Sequence, residues 1–211
     1  MSRRLKRAIV VFAALAAPAI GAATASAASI HSQSKGKQVI AQFAVFDTLT
    51  CEDGSRPSMQ TFFSILSFET TIKVQGQVTT TVETDVFVSS FNPCTFEQSF
   101  GSAQVFGGDL PMNALERATL AGHFVLNDGK VLDLNLTLTG TDQSTSGRRM
   151  ERRNFGNTLV MTRQVGTSRS ADISGTAKYD GRTIPASQMA ETDASLSRNT
   201  SGEIIVIRGG I

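Results

Sequence analysis

Tryptophan is absent from this chain, and tyrosine occurs once, as Tyr179. That shortage counts against two kinds of β-rich protein. Sugar-binding modules normally offer exposed Trp or Tyr platforms, and outer-membrane barrels flank their lipid face with aromatic girdles. Histidine is nearly missing too, with His31 near the start of the mature chain and His123 in its body. Two histidines so far apart give no His-x-x-x-His spacing, and no run of alternating Asp resembles a calcium loop. Two lone cysteines cannot fill a zinc site, so no metal site is expected. The chain also lacks a Gly-rich phosphate cradle and a Gly-x-Ser-x-Gly elbow, and nothing in it calls for a cofactor.

Long apolar runs are missing except at the very beginning. There, Arg3, Arg4, Lys6 and Arg7 precede an apolar stretch from Ala8 to Ile20, followed by small residues ending in Ala25, Ser26 and Ala27. This is the layout of a secretory signal peptide over residues 1–27, with one domain expected over residues 28–211. The run is short of the roughly 20 residues a membrane span needs and contains Pro18, so the mature chain is expected to carry no transmembrane segment. Export makes a single Cys51–Cys94 disulfide the default for the only two cysteines, and neither sits in a Cys-x-x-Cys redox motif. Glu52 and Asp53, in "CEDG" beside Cys51, read as turn formers.

Removing the leader changes the charge reading. The whole chain has 20 basic and 18 acidic residues; the four basic ones in the leader leave 16 against 18. The mature protein is slightly acidic, and the basic isoelectric point of the precursor is no argument for nucleic-acid binding. The distribution is uneven: Ser29 to Ser146 holds 6 basic and 12 acidic residues, whereas Gly147 to Ile211 holds 10 basic and 6 acidic.

What the chain has in abundance is alternation. From Gln77 to Ser89 the even positions Val78, Val82, Val86 and Val88 oppose odd ones that are polar apart from Phe87, and Leu132, Leu134, Leu136 and Leu138 alternate with Asp133, Asn135, Thr137 and Thr139. Ala171, Ile173, Gly175, Ala177 and Tyr179 continue the pattern. Less regular strands fall near 38–50, 59–72, 95–106, 157–165, 186–197 and 203–208. Turn signals recur at Asp53-Gly54, Gln75-Gly76, Gly107-Gly108, Asp128-Gly129 and Asp180-Gly181. Only Pro111 to Leu120 offers a helical turn, and it reads equally well as the start of a strand. The expectation is a single-domain, all-β, antiparallel β-sandwich or β-barrel of consecutive hairpins, about 9–10 strands.

One hairpin can be solved for register. A two-residue loop at Asp128-Gly129 would set Phe124 beside Asp133 and mix the two faces. A three-residue loop, Asn127-Asp128-Gly129 with Gly129 left-handed, pairs Phe124 with Leu132, Gly122 with Leu134, Leu120 with Leu136 and Ala118 with Leu138. Every inner pair is then apolar, and His123 stands opposite Asp133 on the outer face.

His123 and Asp133 are the orienting half of a hydrolase triad, but no serine nucleophile is identifiable, and a polar cross-strand pair on a wet face accounts for them as well. Arg148, Arg149, Arg152 and Arg153 make the sharpest charge feature. Arginine forks suit phosphate and sulfate groups, so these four are the candidates for binding an anionic surface polymer. Equally, charges along a strand edge block aggregation. Nucleic acid is disfavoured because only Phe155 is at hand for stacking.

Most phenylalanines are expected in the core, in inner-face series such as Phe62, Leu66, Phe68 and Phe96, Gln98, Phe100. "FFSILSF", Phe62 to Phe68, is apolar on both faces, which calls for a central strand or one covered on both sides. The functional expectation is a secreted or cell-envelope, non-catalytic domain that binds a partner, a surface polymer or a small apolar molecule. The alternatives are a secreted hydrolase using His123 and Asp133, and an outer-membrane barrel.

Overall fold

Alternating segments joined by tight turns satisfy their backbone hydrogen bonds by pairing antiparallel with neighbouring strands. In the computed structural model, which describes residues 29–156 and 158–208, this produces a single antiparallel sheet. The expected signal peptide lies outside the described residues. The strands are β1 (Ser29–Thr48), β2 (Ser58–Val74), β3 (Gln77–Asn92), β4 (Glu97–Phe106), β5 (Met112–Asn113), β6 (Arg117–Val125), β7 (Val131–Gly140), β8 (Thr145–Phe155), β9 (Thr158–Tyr179), β10 (Arg182–Pro185) and β11 (Ala190–Arg208). The sheet runs β4-β3-β2-β1-β11-β9-β7-β6-β5, with β8 and β10 also paired to β9. The fold is all-β, as expected, and the sheet is barrel-like without being closed. Among the described residues no helix is long and apolar enough to cross a membrane.

Several strands are longer than alternation alone implies. The segments expected near 157–165 and 171–179 fall in one 22-residue strand, β9, which begins at Thr158, and those expected near 186–197 and 203–208 fall largely in β11, although Ala186–Gln188 form a 3-10 turn before that strand begins at Ala190. The polar stretch Gly166 to Ser170 looks like a break in sequence, yet its backbone is held in register by β11. β11 and β8 flank the first half of β9, and β7 and β10 flank its second half. Pro111 to Leu120 makes no helical turn: Met112 and Asn113 pair with Ala118 and Arg117, and the chain reverses through Ala114 and Leu115 at positive φ.

The β6–β7 hairpin has the register expected of it. Phe124 pairs with Leu132, Gly122 with Leu134, Leu120 with Leu136, Ala118 with Leu138, and His123 with Asp133. The loop is closed by Leu126 N–H donating to the Lys130 carbonyl at 2.8 Å, with Gly129 left-handed at φ 84°.

Among the described residues no α-helix lies on the sheet, which buries one face by curling. The odd residues of β1 and β2 and the even residues of β3 meet the leucines of β7, so that Val39, Phe63, Val86, Leu132 and Leu136 share one core. Phe63 ties the halves together, stacking on Phe43 at 4.8 Å and meeting Tyr179 edge-on at 5.3 Å between ring centroids. The curl ends where β4 reaches the β6–β7 turn. Ser102 N–H donates to Asn127 Oδ1 and Asn127 N–H donates to the Ser102 carbonyl, both at 2.9 Å, without a ladder between strands. Gly101 permits this seam, because a Cβ there would lie 2.9 Å from Leu126 Cδ1.

At the opposite end, β1, β2, β3, β8, β9 and β11 run on past the core as a wing. Its apolar residues, among them Leu159, Met161, Ile204 and Ile205, are only half-buried.

The cysteines are bridged as expected, with Cα atoms 5.4 Å apart. The bond joins the β1–β2 loop to the β3–β4 turn. On the loop-entropy model, closing a loop of this length stabilises the fold by about 4 kcal/mol. Urea unfolding of Cys51→Ser should show a loss of that order, and an unchanged midpoint would mean the bridge restrains nothing. Leu136→Ala, at a fully buried position, should cost about 2–5 kcal/mol in the same assay.

Candidate functional site

The β1–β2 loop and the β3–β4, β6–β7 and β9–β10 turns all fall at the same end of the curled sheet. Together they surround an open cleft of about 660 Å³, within the 300–1,000 Å³ range usual for ligand pockets. Its floor is Val45, Met59, Phe63 and Ile184, and Tyr179 forms one wall. These apolar residues face inward near the ends of their strands, and the polar Asp47, Thr61 and Arg182 line the same cleft beside them. The rim is charged because the strands end there. The disulfide joins two of the segments near the cleft, the β1–β2 loop and the β3–β4 turn.

Two ion pairs brace the rim. Arg182 donates to the Asp47 carboxylate, and Lys130 Nζ lies 3.5 Å from Asp128. Lys130 also lies 5.7 Å from the centre of the Tyr179 ring. Burial works against the Lys130 ammonium, but the Tyr179 oxygen and the Asp128 carboxylate outweigh it and hold Lys130 above its ordinary range. Burial likewise pushes the Tyr179 hydroxyl up, against a smaller opposing pull from Lys130.

His123 and Asp133 are brought together, Nδ1 to Oδ1 at 2.5 Å, and both are exposed. Their row of the outer face continues into Lys178, and the next row holds Ala121, Asn135 and Thr176. Across β6, β7 and β9 the hydroxyl-bearing residue in these two rows is Thr176, and no serine lies in them.

The four arginines lie on β8, a fully formed edge strand, and all are exposed. Alternation divides them: Arg148 and Arg152 share the concave face with Met150, while Arg149 and Arg153 share the convex face with Glu151. Glu151 accepts from Arg149 at 3.4 Å and from Arg153 at 3.0 Å, and the Arg153 guanidinium holds its carboxyl below the ordinary range. No one face presents all four charges. Among the described residues, no group of three or more His, Cys, Asp or Glu could hold a metal ion.

The expected core role of the phenylalanines is the main correction. Among the described residues only Phe43, Phe63 and Phe124 are buried. Phe62, Leu66 and Phe68 are even residues of β2, whose odd residues face the core, so they point outward. Phe100 is paired with Ser89, an outward residue of β3, and faces out with it. Phe87, Phe100, Phe106 and Phe96 are 42, 54, 68 and 80 % exposed. The β2 strand is central in the sheet, as "FFSILSF" demanded, yet no described element covers its outer face.

Sequence reasoning missed the cleft altogether. Met59, Lys130 and Arg182 carry no motif; what links them is that each stands beside a turn, and only topology brings those turns to one end.

No family model matches the chain, and neither does any curated protein. Two solved structures resemble it weakly. One is a Nitrosomonas europaea protein provisionally described as AttH, at 10 % identity, covering 84 % of this chain and 52 % of that one, with a TM-score of 0.29. The other is an acetoacetate decarboxylase-like enzyme from Sphingomonas wittichii, at 10 % identity, covering 85 % and 91 %, with a TM-score of 0.24. The chain spans about half the length of the first. Likeness at this level carries no argument about function.

Because Tyr179 is the only tyrosine, its titration can be followed directly by absorbance. A pKa raised by folding contributes stability that is full below the unfolded value of about 10 and is lost as pH rises through the folded value. The native protein should therefore ionise above the urea-unfolded protein, and coincident curves would show that the Tyr179 wall is not buried.

Proposed function

We propose that this is an exported, non-catalytic binding domain that holds a small molecule with an apolar body in the cleft at the mouth of the curled sheet. The observation that carries the reading is the combination of an apolar floor with a braced rim. Val45, Met59, Phe63 and Ile184 offer surface whose removal from water favours an apolar guest at about 25 cal/mol per Å². The ion pairs hold the rim and the disulfide ties two segments near it, so little ordering cost falls on binding. The disulfide also fits an oxidising compartment outside the cytosol. Lys130, Tyr179 and Arg182 offer the few polar groups that would orient a guest.

N-phenylnaphthylamine, an apolar fluorescent probe, tests this on the mature protein. The expected result is saturable enhancement that falls at least about tenfold in affinity in Met59→Glu, which sets a charge on the floor. Phe87→Ser, on the outer face, should leave it unchanged. Absence of saturable binding would overturn the reading. So would binding that survives Met59→Glu and disappears in Phe87→Ser, since the probe would then sit on the outer face.

A further inference from the structure

The outer face of β1 to β4 is built unlike an ordinary wet sheet face. Register places its apolar residues in successive rows: Phe46 and Phe91 in one, Phe62 and Phe100 in the next, then Phe87, then Ile40 and Leu66, then Phe68 and Phe106. Two of the rings already associate, Phe87 with Phe100 at 6.0 Å between centroids. Scattered exposed apolar residues are normal in soluble proteins, but a contiguous patch spanning four strands marks an interaction surface.

The charge on this face is of one sign. Its ionisable residues are Glu83 and Asp85 of β3, joined on the adjoining outer edge by Glu191 and Asp193, and no lysine or arginine lies on the outer face of β1 to β4. Glu191 reaches over that face, accepting from Gln60 Nε2 at 3.2 Å. The carboxylates thus stand within and beside the aromatic rows.

We infer that this face docks a basic amphipathic protein segment, one whose apolar residues are bordered by lysine and arginine. Its apolar side chains cover the phenylalanines while its cations meet Glu83 and Asp85 on one side and Glu191 and Asp193 on the other. A second copy of this chain fits less well. Four strands about 4.8 Å apart, with about 3.3 Å per residue over the span of these rows, give roughly 550 Å², short of the ~800 Å² each partner contributes to a standard stable interface. Two such faces would also bring carboxylates against carboxylates. An anionic membrane is disfavoured by the same charges.

The test is fluorescence anisotropy of the mature protein with a labelled leucine–lysine amphipathic helix peptide. A leucine–glutamate peptide of the same pattern and a scrambled leucine–lysine peptide are the controls, and sedimentation reports the oligomeric state. The leucine–lysine peptide should bind saturably and more weakly as salt rises. Phe87→Ser with Phe100→Ser should weaken it at least about tenfold. Glu83→Gln with Asp85→Asn, which leaves the aromatic rows intact, should weaken it severalfold and flatten the salt dependence. Equal binding of either control peptide would overturn the proposal, as would full affinity in the double serine variant. A dimer that dissociates in that variant would overturn it in favour of a second copy.

Discussion

A sheet has two faces, and among the described residues no α-helix covers either. That constraint organises the molecule. A flat sheet of these sequences would leave its leucines and valines in water, so the only way to gain a core is for the sheet to fold over and bury one of its own faces. The contact that makes this work is Phe63, which stacks on Phe43 from one half of the sheet and meets Tyr179 from the other. The seam at Ser102 and Asn127 then fixes how far the curl goes.

Everything of functional interest follows from incomplete coverage. A curl that does not close leaves a mouth, where inward apolar residues end and charged turns begin, and this is where the cleft forms. The face left outside carries the phenylalanines of β1 to β4. The disulfide belongs to the first of these, because it ties two of the segments near the mouth. The wing, where β9 and β11 outrun the core, shows the same shortage of covering material on the basic side of the molecule.

Much of this was legible in advance. The all-β class, most hairpin turns and the full register of the β6–β7 hairpin follow from period-two patterning and turn chemistry, the pairing of His123 with Asp133 came with that register, and the Cys51–Cys94 bridge followed from there being only two cysteines. The strand lengths did not: Gly166 to Ser170 looks like a loop in isolation and is held extended because β11 runs beside it and β8 pairs with its first three residues. The arginines of β8 were visible as a charge run, but their division between two faces depends on that segment being a strand.

The sequence by itself determined that strands would form, where most of them would turn, and which residues of each regular run would share a face, because those properties are local and have a period of two. Where alternation did not separate apolar from polar residues, only the tertiary structure decided which face is inside. In β2 both faces are apolar, so alternation separates Phe63 and Ile65 from Phe62 and Leu66 without ranking them. The direction in which the whole sheet curls makes that choice for β2, and for β1, β3 and β4 with it. The cleft was equally undetermined, since its floor and rim come from segments distant in sequence that meet only when the sheet folds onto itself.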